Sequence, residues 1–339
     1  MSSSVNQQAE CCRIHCREVL AQLSPSVGWI PEISAVPGKD EFAVVREQFA
    51  EQRPQCSFEV CCEDARRAVA AFLLAVPWSG EDSVSGWLPA LLLRSPPSAQ
   101  SDIRMIAGLA ASLPRLTVAV DHFRHVELLV RAAESIGKTI SVLVAVDTGE
   151  RLMGVHPGPD CESLSRAVAK QRCLSLRGIF ASVEGGATVA PERGNSCVRT
   201  FELARSCVES LRLRGLQAGE VVLGIASEDL RAAAELVDRC MVVGGPFLGA
   251  GWEASGRLAG AGGAGVFDAR VISRPALEYC VIAAGSRSGL ITSETEVIWP
   301  LGAVISGWNA HHARLQLADE SLDLRIGSEV WLKNFHKHT

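Results

Sequence analysis

The sequence predicts an α/β protein: a (β/α)8 barrel of the TIM type followed by a small all-β domain. Three observations carry that reading. Eight short apolar runs alternate with longer amphipathic segments. A glycine-alanine stretch, Gly-Ala-Gly-Gly-Ala-Gly at residues 260–265, interrupts the pattern. Beyond it only short β-type runs remain. The 339 residues suffice for one large domain and a smaller one. The expected division is a barrel over residues 15–262 and a β-domain over 263–339.

The elements follow in order. Residues 27–33 read as the first strand. Residues 39–50 read as a helix, with Phe42, Val45 and Phe49 on one stripe. Residues 57–60 form a weaker second strand before a helix over 63–74. The third strand is 90–93, with a helix near 103–112. Residues 116–120 are rich in β-branched side chains and form the fourth. A helix over 122–136 closes on Gly137 as a C-cap. The fifth strand, 140–146, precedes a helix over 160–170. The sixth, 176–181, precedes a long helix at 196–214, stopped by Gly215. The seventh is 221–225, with a helix over 228–237, and the eighth is 240–243. A parallel sheet with right-handed crossovers and eight strands favours closure into a barrel over an open doubly wound sheet. The β-domain strands are expected at 266–272, 278–283, 296–299, 314–317 and 329–332. The Gly-x-Gly-x-x-Gly at 260–265 has no helical pattern after it, which argues against a dinucleotide site.

Composition removes several function classes. A net charge of -5 gives no general pull toward nucleic acid or an anionic membrane. The polar start, Met1-Ser2-Ser3-Ser4, has no apolar leader pattern, and no apolar run is long enough to span a bilayer. Twelve cysteines show no Cys-x-x-Cys pair. They read as reduced, mostly buried thiols of a cytoplasmic protein. Of 33 basic residues only five are lysine: Lys39, Lys138, Lys170, Lys333 and Lys337. Any chemistry that requires a primary amine therefore has few candidates.

The middle of the chain carries recognisable text. Leu116-Thr-Val-Ala-Val-Asp121 is followed by His125 and Glu127-Leu128. Val142-Leu-Val-Ala-Val-Asp147-Thr-Gly149 is followed by Gly154-Val155 and Pro157-Gly158. Leu176-Arg-Gly-Ile leads to Glu184-Gly185. Arg274-Pro275, Ala284-Gly285-Ser286, His312 and Leu324-Arg-Ile-Gly327 extend the match. In these motifs the chain resembles the D-serine dehydratase / D-threonine aldolase group. That group belongs to the fold-type III pyridoxal-phosphate enzymes, with an alanine racemase N-terminal-type barrel. The resemblance implies a barrel holding pyridoxal phosphate, a β-domain, a divalent metal such as zinc beside the cofactor, and lyase chemistry on a small D-amino acid. It also implies a homodimer sharing the barrel mouth. Family members begin before the first helix seen here and continue past the last motif, so the β-domain is expected to be incomplete unless a partner chain completes it.

The family's site residues transfer only in part. Its Schiff-base lysine, in Pro-His-x-Lys, falls on Ser34 of Pro31-Glu32-Ile33-Ser34. Serine forms no imine. Lys39 is the nearest amine, either as a shifted anchor or as an exposed helix residue. The glycine-rich phosphate turn is reduced to Gly224-Ile225-Ala226-Ser227. Ser227 is either a phosphate donor or a helix N-cap. Gly244 and Gly245, read as following the eighth strand, are either a phosphate approach or a tight turn. Phe247 stands where the family has a tyrosine, and Leu152 where it has an arginine. Glu184 is either an acid–base remnant or a structural carboxylate. His336 and His338 match the metal-binding His-x-Cys, with His312 expected nearby. They read as zinc ligands or as an exposed tail. The expected function is a family member with impaired or lost lyase chemistry, a pseudoenzyme. The alternatives are an active lyase anchored on Lys39 and a cofactor-independent metal-binding barrel.

Overall fold

The structure is a computed structural model. It describes residues 28–33, 47, 51, 59–62, 68, 90–182, 193–224, 241–248, 265–285, 291–309 and 311–334. The barrel strands are β1 (Gly28–Ile33), β2 (Val60–Cys62), β3 (Ala90–Leu93), β4 (Arg115–Val120), β5 (Ile140–Val146), β6 (Leu174–Ser182), β7 (Glu220–Gly224) and β8 (Met241–Leu248). Each pairs in parallel with the next, and β8 pairs with β1, so the sheet closes. Four described helices alternate with them: α1 (Gln100–Ser112), α2 (Phe123–Ile136), α3 (Pro159–Ala169) and α4 (Arg193–Leu213).

Strand alternation sorts the core into two layers. Leu92, Ala119, Leu143, Ala145, Phe180 and Val222 fill the barrel interior. Their neighbours Leu91, Leu93, Val118, Val120, Val142 and Val144 face the helix layer. Both faces are therefore apolar, as a fully covered parallel sheet requires. Helix ends follow local chemistry. The His122 ring accepts a hydrogen bond from the Arg124 N–H at 3.0 Å and caps α2. Gly137 ends α2 in the left-handed region, at φ 65°. Asp102 accepts from the N–H groups of Ser98 and Ala99 at 2.7 and 2.9 Å, fixing the start of α1.

The second domain is a six-stranded antiparallel sheet of β9 (Gly265–Ser273), β10 (Tyr279–Ile282), β11 (Thr295–Trp299), β12 (Ala303–Trp308), β13 (Ala313–Leu317) and β14 (Glu329–Asn334), in the order β11-β14-β9-β10-β13-β12. The boundary expected at 262/263 lies outside the described residues, between β8 and β9.

Three sequence expectations require correction. The second strand lies at Val60–Cys62 rather than 57–60, because the apolar pair Cys61 and Cys62 carries it into the core. β8 continues to Leu248, so Gly244 and Gly245 lie within the strand and not in a turn after it. Its register against β1 slips twice, at Val243–Pro246 and Pro246–Leu248. These bulges accommodate a proline that cannot donate to the ladder. The sixth strand of the β-domain, β12, is missing from the sequence reading. Its Gly307 sits at a register shift against β13, which breaks the alternation that would reveal it.

Candidate functional site

In a parallel barrel all strands end on one face, and the residues just beyond those ends converge. Here β3 delivers Arg94, β4 delivers Asp121, β5 delivers Asp147, and β6 and β7 end on Ser182 and Gly224. Register keeps them level: Val146 pairs with Ala181, and Ser182 pairs with Gly224. The turn between β12 and β13 covers this mouth with Asn309, His311 and His312. A small open cleft lies between the two domains, lined by Arg94, Asp147, Phe180, Ser182, Asn309 and His312 among others.

Arg94 is the central cation and only 3% exposed. Its guanidinium lies 5.9 Å from the Phe180 ring centroid, a cation–π distance. Its Nη1 lies 3.3 Å from His311 Nε2. Ser95 Oγ lies 3.0 Å from His312 Nε2. Asn309 Oδ1 accepts from the backbone N–H groups of His311 and His312 at 2.8 and 2.7 Å, which holds the turn that carries both rings. Gly224 matters here. A Cβ at this position would lie 3.1 Å from Phe180 Cζ and 3.3 Å from Arg94 Nη2. Glycine thus keeps room for the stacked pair.

The opposite wall is the loop after β5. Asp147 Oδ1 accepts from the N–H groups of Gly149 and Arg151, at 2.9 and 3.0 Å. Thr148 Oγ1 donates to the Ser182 carbonyl at 2.9 Å. The loop returns through Gly154, whose N–H donates to Asp121 Oδ2 at 3.0 Å. The same oxygen accepts from Ser273 Oγ of β9 at 2.6 Å. Asp121 Oδ1 lies 3.2 Å from His125 Nδ1, with both side chains fully buried. Burial pushes the Asp121 carboxyl up. The hydrogen bond and charge of His125, then Ser273 and the Gly154 N–H, outweigh it, and the net direction is down.

Of the residues singled out in the sequence, Gly224 reaches the mouth and Gly244 and Gly245 lie in β8. Ser34, Lys39, Glu184, Ser227, His336 and His338 lie outside the described residues. His312 engages Ser95 and the Asn309 turn; the histidines it is expected to neighbour, His336 and His338, are among the residues just named. Among the described residues no three His, Cys, Asp or Glu side chains gather as a metal site. Arg94, Asn309 and Ser273 were not singled out. The signal for Arg94 was present: a charged residue directly after an apolar strand of a barrel.

The described residues do not fit covalently held pyridoxal phosphate. No lysine lines the cleft among them. Lys138 precedes β5, at the opposite end of the barrel, and donates to the carbonyls of Ala110 and Ala111. Lys170 precedes β6 at that same end, and Lys333 lies on β14.

Residues 88–241 match the family model of the alanine racemase N-terminal domain. The barrel and second sheet together have the alanine racemase-like fold. Within that fold, D-threonine aldolase from Filomicrobium marinum aligns over 98% of this chain and 85% of its own, at 19% identity and a TM-score of 0.53. D-threo-3-hydroxyaspartate dehydratase from Delftia sp. HT23 aligns over 97% and 88%, at 15% identity and a TM-score of 0.54. PipY of Synechococcus elongatus PCC7942, with PLP bound, covers 71% of this chain and 100% of its own, at 19% identity and a TM-score of 0.48. No curated protein matches the chain. The chain therefore has the fold of the fold-type III group, in agreement with its motifs.

Proposed function

We propose that this chain is a D-serine dehydratase-like or D-threonine aldolase-like protein whose lyase chemistry is impaired or lost, and whose barrel mouth binds a small molecule without a covalent cofactor. The observation that carries this reading is the serine directly after β1. The family motif requires a lysine at position 34, and Ser34 has no amine. The described cleft supplies no substitute. Its polar lining is an arginine, carboxylates, hydroxyls, an amide and histidine, set among apolar side chains such as Leu152, Met153 and Phe180.

The chemistry argues the same way. Pyridoxal phosphate, when covalently bound, supplies the electron sink for a carbanion beside nitrogen. Lyase rates demand many kcal/mol of transition-state stabilisation. Hydroxyl and carboxylate groups of this cleft cannot replace a conjugated sink. What they can do is bind and orient.

The test is direct. Protein incubated with pyridoxal phosphate and desalted is expected to be colourless. Borohydride treatment and peptide mass spectrometry should find no pyridoxyl adduct, and D-serine and D-threonine should persist in its presence. A stoichiometric adduct on Lys39, with turnover of either amino acid, would replace this reading with that of a working lyase.

A further inference from the structure

We propose that Cys161 and Cys207 form a redox pair, a dithiol that closes reversibly into a disulfide tying α3 to α4. The pair lies in the helix layer and stands independently of the reading of the barrel mouth.

Three observations converge. First, the two side chains meet. Cys161 lies in the first turn of α3 and Cys207 in the second half of α4. Their thiols are hydrogen-bonded to each other across the helix contact. Both belong to one apolar cluster that also holds Leu164, Ala204 and Val208. A disulfide forms only between side chains that approach each other in the fold, and these two do. Second, the contact is braced. Glu162, next to Cys161, takes Arg214 Nε just past the end of α4 at 2.6 Å. The same carboxylate takes Arg166 Nη2, one turn on in α3, at 2.9 Å. The start of α3 and the end of α4 are thus held together around the sulfurs. Third, the pair is asymmetric. Gly158, the N-cap of α3, has no side chain to cap its helix, and its N–H donates to the Cys207 sulfur. The positive end of a helix favours a thiolate. The hydrogen bond from Cys161 and that of the Gly158 N–H outweigh burial and hold the Cys207 thiol below its ordinary value. The Cys161 thiol is pushed up, by the same hydrogen bond first, then by burial and the Glu162 charge. Cys207 is therefore the attacking thiolate, and Cys161 the thiol that keeps its proton. Cys207 is also the more exposed, at 6% against 1%, so a small oxidant reaches it first.

Hydrogen peroxide is an oxidant of that size. The Cys207 thiolate attacks one peroxide oxygen, the O–O bond breaks, and the departing hydroxide takes a proton from solvent to leave as water. Cys207 is then a sulfenic acid. The Cys161 sulfur attacks it, the S–S bond forms and the S–O bond breaks. The hydroxyl leaves with the Cys161 proton as a second water. Two electrons pass from the dithiol to the peroxide, and a thiol reductant reverses the change by exchange.

The test uses the full chain, reduced, desalted and exposed to a small excess of hydrogen peroxide in native buffer. Remaining thiols are alkylated, and the protein is digested without reductant for mass spectrometry. The expected result is a peptide linking Cys161 to Cys207 as the main crosslink, lost when dithiothreitol precedes alkylation. Cys161→Ser should stop the reaction at the sulfenic acid, so that dimedone labels Cys207 several-fold more than in the wild type. Cys207→Ser should leave Cys161 unlabelled. Wild-type protein without the linked peptide, or with it only in denaturant, overturns the pair, and this readout needs no variant to fold. A folded Cys207→Ser protein whose Cys161 takes up as much dimedone as Cys207 does in Cys161→Ser overturns the assigned order of attack.

Discussion

At Asp121 a single carboxylate ties three parts of the chain together: His125 one helical turn on, Gly154 in the loop after β5, and Ser273 in the β-domain. Its folded-state value lies below the ordinary 3.8. The resulting stability is present above that value and is lost as the pH falls through the lower, folded one. We expect the melting temperature of the wild type to drop more steeply below about pH 4 than that of Asp121→Asn. At neutral pH the Asn variant should be the less stable by about 3 kcal/mol in urea denaturation. Gly154 answers to a different constraint. It sits at φ +119°, and a Cβ there would run into the backbone of Val146 and Asp147. Gly154→Ala is expected to cost about 2 kcal/mol or more by the same measurement. It should also weaken ligand binding, because this loop carries Asp147, Thr148 and Glu150.

Among the elements, the strands divide the barrel's labour between its two ends. The mouth holds the cleft; the floor holds ions. Glu59, fully buried just before β2, pairs with Arg177 of β6 at 2.8 Å and with Arg115 of β4 at 3.5 Å. Arg177 also reaches Glu220 of β7 at 2.8 Å. Removing one partner leaves a buried charge unpaired. We expect Glu59→Gln to lower stability by about 3–5 kcal/mol in urea denaturation. Legibility varied among the same elements. β5 was readable to the residue because Ile140–Val146 is a run of apolar residues rich in β-branched side chains, broken only by Ser141 and stopped by Asp147. β12 was not readable, because Ala303–Trp308 exposes Val304 and contains a glycine at its bulge.

For the molecule as a whole, the site belongs to neither domain alone. Arg94 and Ser95 meet His311 and His312 across 217 residues of sequence, and Asp121 meets Ser273 across 152. Removing the Ser273 hydroxyl should loosen this joint without disturbing either core. Ser273→Ala is expected to raise amide hydrogen exchange in β9 and in the loop after β5 together, with the barrel strands unchanged. No described helix is long and apolar enough to cross a membrane. Of the seven described cysteines, six are buried.

Strand count, barrel closure and the presence of a second, all-β domain followed from the sequence alone, because period and punctuation are local properties of the chain. So did the absence of an amine at position 34, which one residue's chemistry decides. The cation at the mouth was decided only by the tertiary structure. Arg94 acquires its role from Phe180 three strand crossovers later, from the absence of a side chain at Gly224, and from a turn of the other domain. Long-range juxtaposition of this kind has no period and no spacing; it exists only once the sheet has closed.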